Sequence, residues 1–286
     1  MPTPTQRAYA RKLTDLSKRL SSLEEATLRA IIGDLQALRK EIAAAVVSVG
    51  DEIDEYRMRQ LQTAIDRMIA DTGGKLQVTI AAGLNGAGVL GEAGVAELLA
   101  LVAPGAITPT AAQLNIAAAF SAELVRAITE DIRQGINTQL RLAMLGQRTP
   151  FQVMKAITAV LGVNAYDGVW GLRRRPDVVK GVAARAEAIA RTELTRMYNL
   201  ANHGTMQQLP EQYKASKGWV ATTKDNRTRR SHRKAHGQVV PVGGKFDVGG
   251  VAMAHPGDPD APAKETVNCR CRMVTIFPGF EDVFSI

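Results

Sequence analysis

Nearly all the soft-metal chemistry available to this chain lies within forty residues. His232 and His236 stand four apart in Arg230-Ser231-His232-Arg233-Lys234-Ala235-His236-Gly237. His255 opens His255-Pro256-Gly257-Asp258-Pro259, and Asn268-Cys269-Arg270-Cys271 holds both cysteines of the protein. Three of the four histidines fall in this window, so either these residues hold one small domain together or they do chemistry in it. On a helix, His232 and His236 project from one face one turn apart. On a strand, Cys269 and Cys271 point to the same side. Folding one pair onto the other makes a His₂Cys₂ tetrahedron, a closed structural zinc site, with His255 as substitute ligand if one of the first two histidines points away. The bland alternative is that buried thiols and hydrogen-bonded imidazoles simply pack a small core.

A second chemistry uses overlapping residues. Asp225, Arg227, Arg229, His232 and His236 gather an acid, cations and imidazoles just after a β-prone stretch. Such a set suits phosphate binding and proton movement, as in a phosphodiesterase. No spacing here fixes a nucleophile and base, and no carboxylate pair suits two-metal catalysis. Catalysis is therefore the secondary expectation.

The elements that must position these groups change character along the chain. Residues 6 to 70 repeat apolar side chains at three- and four-residue spacing, from Leu13, Leu16 and Leu20 to Ile53 and Tyr56, which predicts two or three helices or one long bent one. Gly33 and Gly50 are the expected interruptions. Seven glycines between Gly73 and Gly94 predict a loop or hinge near 72–94. Thr108 and Pro109 open a second helical block to Leu145, and Thr149-Pro150 starts a further helix to about Leu161. Val178 to Gln208 reads as one helix. After Pro210 short β-prone pieces take over, at Gly218–Thr222, Gln238–Val240 and Arg272–Ile276. The expected architecture is a mostly α N-terminal region, residues 1–165, followed by a small α+β C-terminal domain, residues 178–286.

Charge and composition narrow the partners. The net charge is +8, yet between Trp170 and His236 fifteen Lys or Arg face only five acids, so the excess is local. Arg173, Arg174, Arg175, Lys180, Arg185, Arg227, Arg229, Arg230, Arg233 and Lys234 form the candidate surface for double-stranded DNA. Nothing resembles a groove-reading element, so binding would be independent of sequence. Cysteines one residue apart enclose almost no loop, so no disulfide is expected and a reducing compartment is the default. No charged segment followed by an apolar one opens the chain, so no secretory leader is expected. No run of about 18 uninterrupted apolar residues occurs, so no stable membrane span is expected either.

Three segments together resemble the C-terminal domain of the phage Mu F-like minor head proteins, the phage head morphogenesis family. They are Ala190-Arg191-Thr192-Glu193-Leu194-Thr195-Arg196-Met197-Tyr198-Asn199; the run from Trp219 to His232 closed by His236-Gly237; and Pro256-Gly257-Asp258-Pro259 through Asn268-Cys269-Arg270-Cys271. The resemblance covers roughly residues 140 to 277. It implies a minor capsid component inside the virion head, near the portal vertex, after assembly in the host cytoplasm. Its implied partners are the portal protein, major capsid or scaffold proteins, and packaged DNA. It carries over no catalytic assignment. Residues 1 to 140 show nothing assignable beyond helicity.

Overall fold

The computed structural model describes residues 3–49, 54–106, 114–145, 149–163, 181–222 and 227–282. Five helices come first: α1 (Pro4–Val49), α2 (Glu55–Val102), α3 (Leu114–Met144), α4 (Pro150–Leu161) and α5 (Val182–Gln207). The last part mixes short elements: β1 (Ser216–Val220), α6 (Arg230–Ala235), β2 (Val239–Pro241), β3 (Phe246–Val248), β4 (Val251–Met253), α7 (Ala263–Thr266) and β5 (Arg272–Ile276). The expected class, helices first and a small α+β region after them, is what the chain adopts.

Several local expectations match the structure closely. Thr149 caps α4 through a reciprocal box: its hydroxyl accepts from Gln152 N–H while the Gln152 side chain accepts from Thr149 N–H. Pro150 sits in the first turn and Gly162 ends the helix at φ 68°, where a side chain would be strained. β5 coincides with the Arg272–Ile276 stretch. Thr108 and Pro109 lie outside the described residues.

Two expectations about glycine need correction. Gly33 does not interrupt α1, because nothing lies within 4 Å of the missing side chain and one glycine costs a helix only about 1 kcal/mol. The glycine-dense stretch 72–94 is not a loop or a hinge but the interior of α2. There the glycines serve close packing between helices. A Cβ on Gly91 would lie 2.3 Å from the Tyr198 carbonyl, and one on Gly94 would lie 2.9 Å from Asn202 Nδ2. Asn202 in turn donates to the Gly91 carbonyl at 3.0 Å. Glycine density here records how near α5 comes, not a break in the helix. By length and composition α2 is also long and apolar enough to cross a membrane, although charged and polar residues interrupt its apolar run. Its inward residues Ala87, Val95, Leu98 and Leu99 are buried inside the protein.

The chain forms two compact units that do not follow its order. One comprises residues 26–81 and 119–188, and its core is aliphatic and wholly helical: Ile31, Leu35, Ile42, Ile65, Ile132 and Ile157 are all at most 2% exposed. The other comprises residues 1–25, 82–118 and 189–286. It holds every strand among the described residues. β1 is the centre of an antiparallel sheet ordered β2-β1-β5, with Gly218 opposite Val239 on one side and Val274 on the other. β3 and β4 make a separate hairpin through Gly249-Gly250, both at positive φ, the two-residue turn whose twist suits a hairpin.

Alternation along β5 divides this second unit into two cores. Cys269, Cys271 and Met273 join Trp219, Phe246, Val248 and Met253 on one side. Val274, Ile276 and Phe277 pack on Tyr9, Leu98 and Leu99 on the other. The strands thus share their burial with the first turns of α1 and the end of α2, which no local pattern in residues 178–286 announces.

Candidate metal centre

Helix α5 is the spine on which the three conspicuous segments meet. Arg196 donates from Nε to the Gly257 carbonyl at 3.0 Å and pairs with Glu193 at 2.8 Å. Asn199 spends its whole amide on the same task. Its Nδ2 donates to the carbonyls of Pro256 and Cys271, at 3.0 and 3.2 Å, and its Oδ1 accepts from Met273 N–H at 2.7 Å. Thr192 accepts from the backbone of Asn268 at 2.8 Å, a residue held at φ 58°. These polar contacts fix the loop at 255–259 and the cysteine segment to one helix, and losing those of Asn199 or Thr192 would leave backbone groups unpaired.

The cysteine segment, which lies just before β5 and not on a strand, faces α6. Cys269 and Cys271 point the same way, as the two-residue spacing predicts, and both reach the Nδ1 of His232, at 3.5 and 3.3 Å. The three donor atoms lie within 4.8 Å of one another and all three side chains are buried. His236 does not join them, contrary to the expected one-face pair. Helix α6 ends at Ala235; His236 is already extended, at φ −56° and ψ 130°, so the rotation that would align it with His232 has stopped. Its Nδ1 instead accepts from Ala221 N–H at 3.2 Å. His255 does not substitute: its ring lies tilted beside that of His203, centroids 5.6 Å apart, and its Nδ1 lies 3.1 Å from the Pro256 carbonyl. Among the described residues the possible ligand set is therefore His232, Cys269 and Cys271.

The donor set fits a thiophilic cation. With zinc bonds of about 2.0 to 2.3 Å, tetrahedral geometry separates a nitrogen and a sulfur ligand by about 3.5 Å, and the two Nδ1–Sγ distances are 3.3 and 3.5 Å. Two further groups favour the same state. Glu265 Oε2 lies 2.9 Å from His232 Nε2, on the side of the ring away from the sulfurs. A carboxylate in that position fixes the ring and its tautomer for ligation through the other nitrogen. The buried Trp219 N–H is directed at Cys271, where it favours the thiolate. Neither Glu265 nor Trp219 was singled out in the sequence. The only signal for Glu265 is its place four residues before Cys269.

Without a cation the same groups share protons unevenly. A hydrogen bond from Cys271, with His232 beside it, holds the Cys269 thiol well below its ordinary value despite burial. Cys271 is pushed up by that same thiolate and by burial. Burial alone would lower His232, but its contacts with Cys269 and Glu265 outweigh it and the net shift is upward. The cluster therefore already holds thiolate character at its centre, which is what a metal ligand requires.

The remaining candidate residues are dispersed. Arg173, Arg174, Arg175, Lys180 and Asp225 lie outside the described residues. Arg185 pairs with Asp131 in the all-helical unit. Around α6, Arg227, Arg230, Arg233 and Lys234 are exposed, and Arg229 donates to the Val267 carbonyl at 2.6 Å. Of the secondary, catalytic constellation, His232 is engaged with the thiols and His236 with the backbone of Ala221, while Asp225 lies outside the described residues.

Comparison with known proteins bears on the whole arrangement. The family described as Phage Mu protein F like protein matches residues 123–274. The minor head protein GP7 of Bacillus phage SPP1 is 34% identical over 98 residues, which are 34% of this chain and 31% of that protein. The match thus spans about a third of that relative's length. No solved structure matches.

Proposed function

The chain belongs to the Phage Mu protein F-like family, and on that premise we propose that it is a minor head protein of a tailed phage or prophage, acting in head morphogenesis rather than catalysis. The observation that carries this reading is the family match, which runs through Arg196, Asn199, His232, Cys269 and Cys271, the residues that tie the α+β region together. The finer parts of the reading are association with the portal and with major capsid or scaffold proteins, residence in the virion near the portal vertex, passage through the host cytoplasm during assembly, and a part in genome delivery. The name of the SPP1 relative supports the head role. Incorporation is the test: quantitative mass spectrometry of purified heads should find the protein at a low, fixed copy number alongside portal. Its absence from heads would sink the reading.

DNA contact rests on the exposed cations Arg227, Arg230, Arg233 and Lys234, with Arg229, Arg185, Arg173 to Arg175 and Lys180 as further contributors. Six phosphate contacts would cost roughly 10³ or more in affinity between 50 and 200 mM salt. Duplex binding indifferent to salt would contradict this.

Zinc is the cofactor that the His232, Cys269 and Cys271 donors fit best, in a role that stabilises the fold. The division of the chain at 165–178 into a helical region and a family-like α+β domain also stands as a proposal. Limited proteolysis that releases a stable fragment beginning near residue 178 would support it.

A further inference from the structure

The segment leading into β5 buries Cys269 and Cys271, while Arg270 and Arg272 line a groove of about 980 Å³. The opposite wall is α1, whose Arg7, Arg11 and Lys18 face the same space and are exposed. Five cations thus border the groove against one acid, Asp15, which lies 3.7 Å from Arg19. Between the charged rims the floor is apolar, made by the partly exposed Leu13 of α1 and Val220 of β1. Ala10, Leu13 and Ser17, spaced three and four apart, give α1 a shallow seam of small and aliphatic side chains. From Arg7 to Lys18 the wall runs about 16 Å at 1.5 Å per residue, three helical turns.

We infer that this groove receives an acidic amphipathic segment of a partner protein, laid along α1 with its apolar face on the floor and its carboxylates against the arginines. The inference deepens the head-assembly reading and rests on it, since that reading is what supplies protein partners. Length separates the occupant from a small metabolite. Floor chemistry separates it from nucleic acid: a phosphodiester chain offers no apolar surface to cover Leu13 and Val220. Sequence-tolerant strand grooves use aromatic side chains as stacking platforms, whereas the one Phe, Tyr or Trp of this lining is Tyr198, 2% exposed. An amphipathic helix in an apolar groove, oriented by a basic rim, satisfies both surfaces at once. Arg270 also borders the small cavity beside the thiol cluster, so the cysteine contacts to His232 hold one rim of the groove in place.

The test is fluorescence anisotropy on the full chain with three labelled probes. One is a 16-residue peptide with Leu at heptad a and d positions and Glu at the flanking ones; the second replaces each Glu by Lys; the third is a 16-nucleotide oligo-dT. The Glu peptide should bind and the Lys peptide should not. Arg11→Glu with Lys18→Glu, two exposed changes on one helix face, should weaken the Glu peptide at least tenfold with the thermal midpoint unchanged. Arg270→Glu should do the same from the opposite wall. Equal binding by wild type and both variants, or no binding of the Glu peptide, would overturn the inference. So would tighter binding of oligo-dT that the same variants abolish, which would make the groove a nucleic-acid site. Head incorporation of the unmodified protein is scored separately. A protein found in heads but blind to the peptide loses the groove inference and keeps its head role.

Discussion

Two buried histidine clusters in the same compact unit have opposite electrostatic characters. Around His232 the neighbours are the thiols of Cys269 and Cys271 and the Glu265 carboxylate, so the imidazole is raised despite its burial. Around His203 and His255 the neighbour is Lys217, an amine with no exposed surface that donates to the Ala254 carbonyl at 2.7 Å. Burial and Lys217 lower His203 to about 4, burial lowers His255, and burial with Lys245 nearby lowers Lys217 to about 8. His203 Nε2 lies 3.1 Å from the Val242 carbonyl and 3.3 Å from Lys217 Nζ; one nitrogen cannot donate to the first while accepting from the second. Burial is common to both sites, so it does not decide their charge. Partner chemistry does: anionic neighbours make a cation site, and a buried amine makes a site that rejects protons.

The largest effect that could break this contrast comes from the thiol cluster. His232→Ala should abolish stoichiometric metal binding and destabilise the protein by about 3–5 kcal/mol, because it leaves a buried thiolate unpaired. Elemental analysis and thermal denaturation, with and without chelator, measure both. Wild-type protein purified without chelator yet carrying no metal would remove the cation site altogether. Glu265→Gln should act through the ring it orients, lowering metal affinity about 10- to 100-fold with the fold intact. A competition titration against a chromophoric chelator reads that change.

The second cluster predicts acid sensitivity. Both histidines bind protons more weakly folded than unfolded, so their contribution is whole above about pH 6.5 and is lost as pH falls towards about 4. Lys217 acts on both as a cation and Arg196 on His255, Lys245 acts on Lys217, and Asp258 is the acid nearby among the described residues. Lys217→Met should shallow this pH dependence of the denaturation midpoint, and an unchanged profile would show the amine irrelevant. The smallest effect sharpens the distinction between His232 and its sequence neighbour. His236→Ala should leave metal content unchanged and cost about 0.5–1.5 kcal/mol, the worth of its hydrogen bond to Ala221. Loss of metal in that variant would restore the four-ligand expectation.

Legibility followed the range of the interaction. The Thr149–Gln152 capping box, the β5 strand and the common direction of Cys269 and Cys271 depend on neighbours within three residues, and they could be read directly. The Gly249-Gly250 hairpin is equally local, its dipeptide lying between Phe246-Asp247-Val248 and Val251-Ala252-Met253. The His232–His236 pair failed because one residue of helix length decides it: the same spacing serves one face if α6 continues and opposite destinations if it ends at Ala235.

Residue types and spacing by themselves determined that this chain is helical first and α+β last, that its soft ligands gather in one short window, and which family its C-terminal motifs resemble. Each of these depends on local periodicity or on residue identity. Only the tertiary structure decided that Gly91 marks the close passage of α5 and not a hinge, that Glu265 and Trp219 complete the surroundings of the thiols, and that α1 walls a cationic groove with Arg270 and Arg272. Those facts join residues about 30 to more than 250 positions apart. The free energy that brings such residues together is the burial of whole helix and sheet faces, a property no short window of sequence contains.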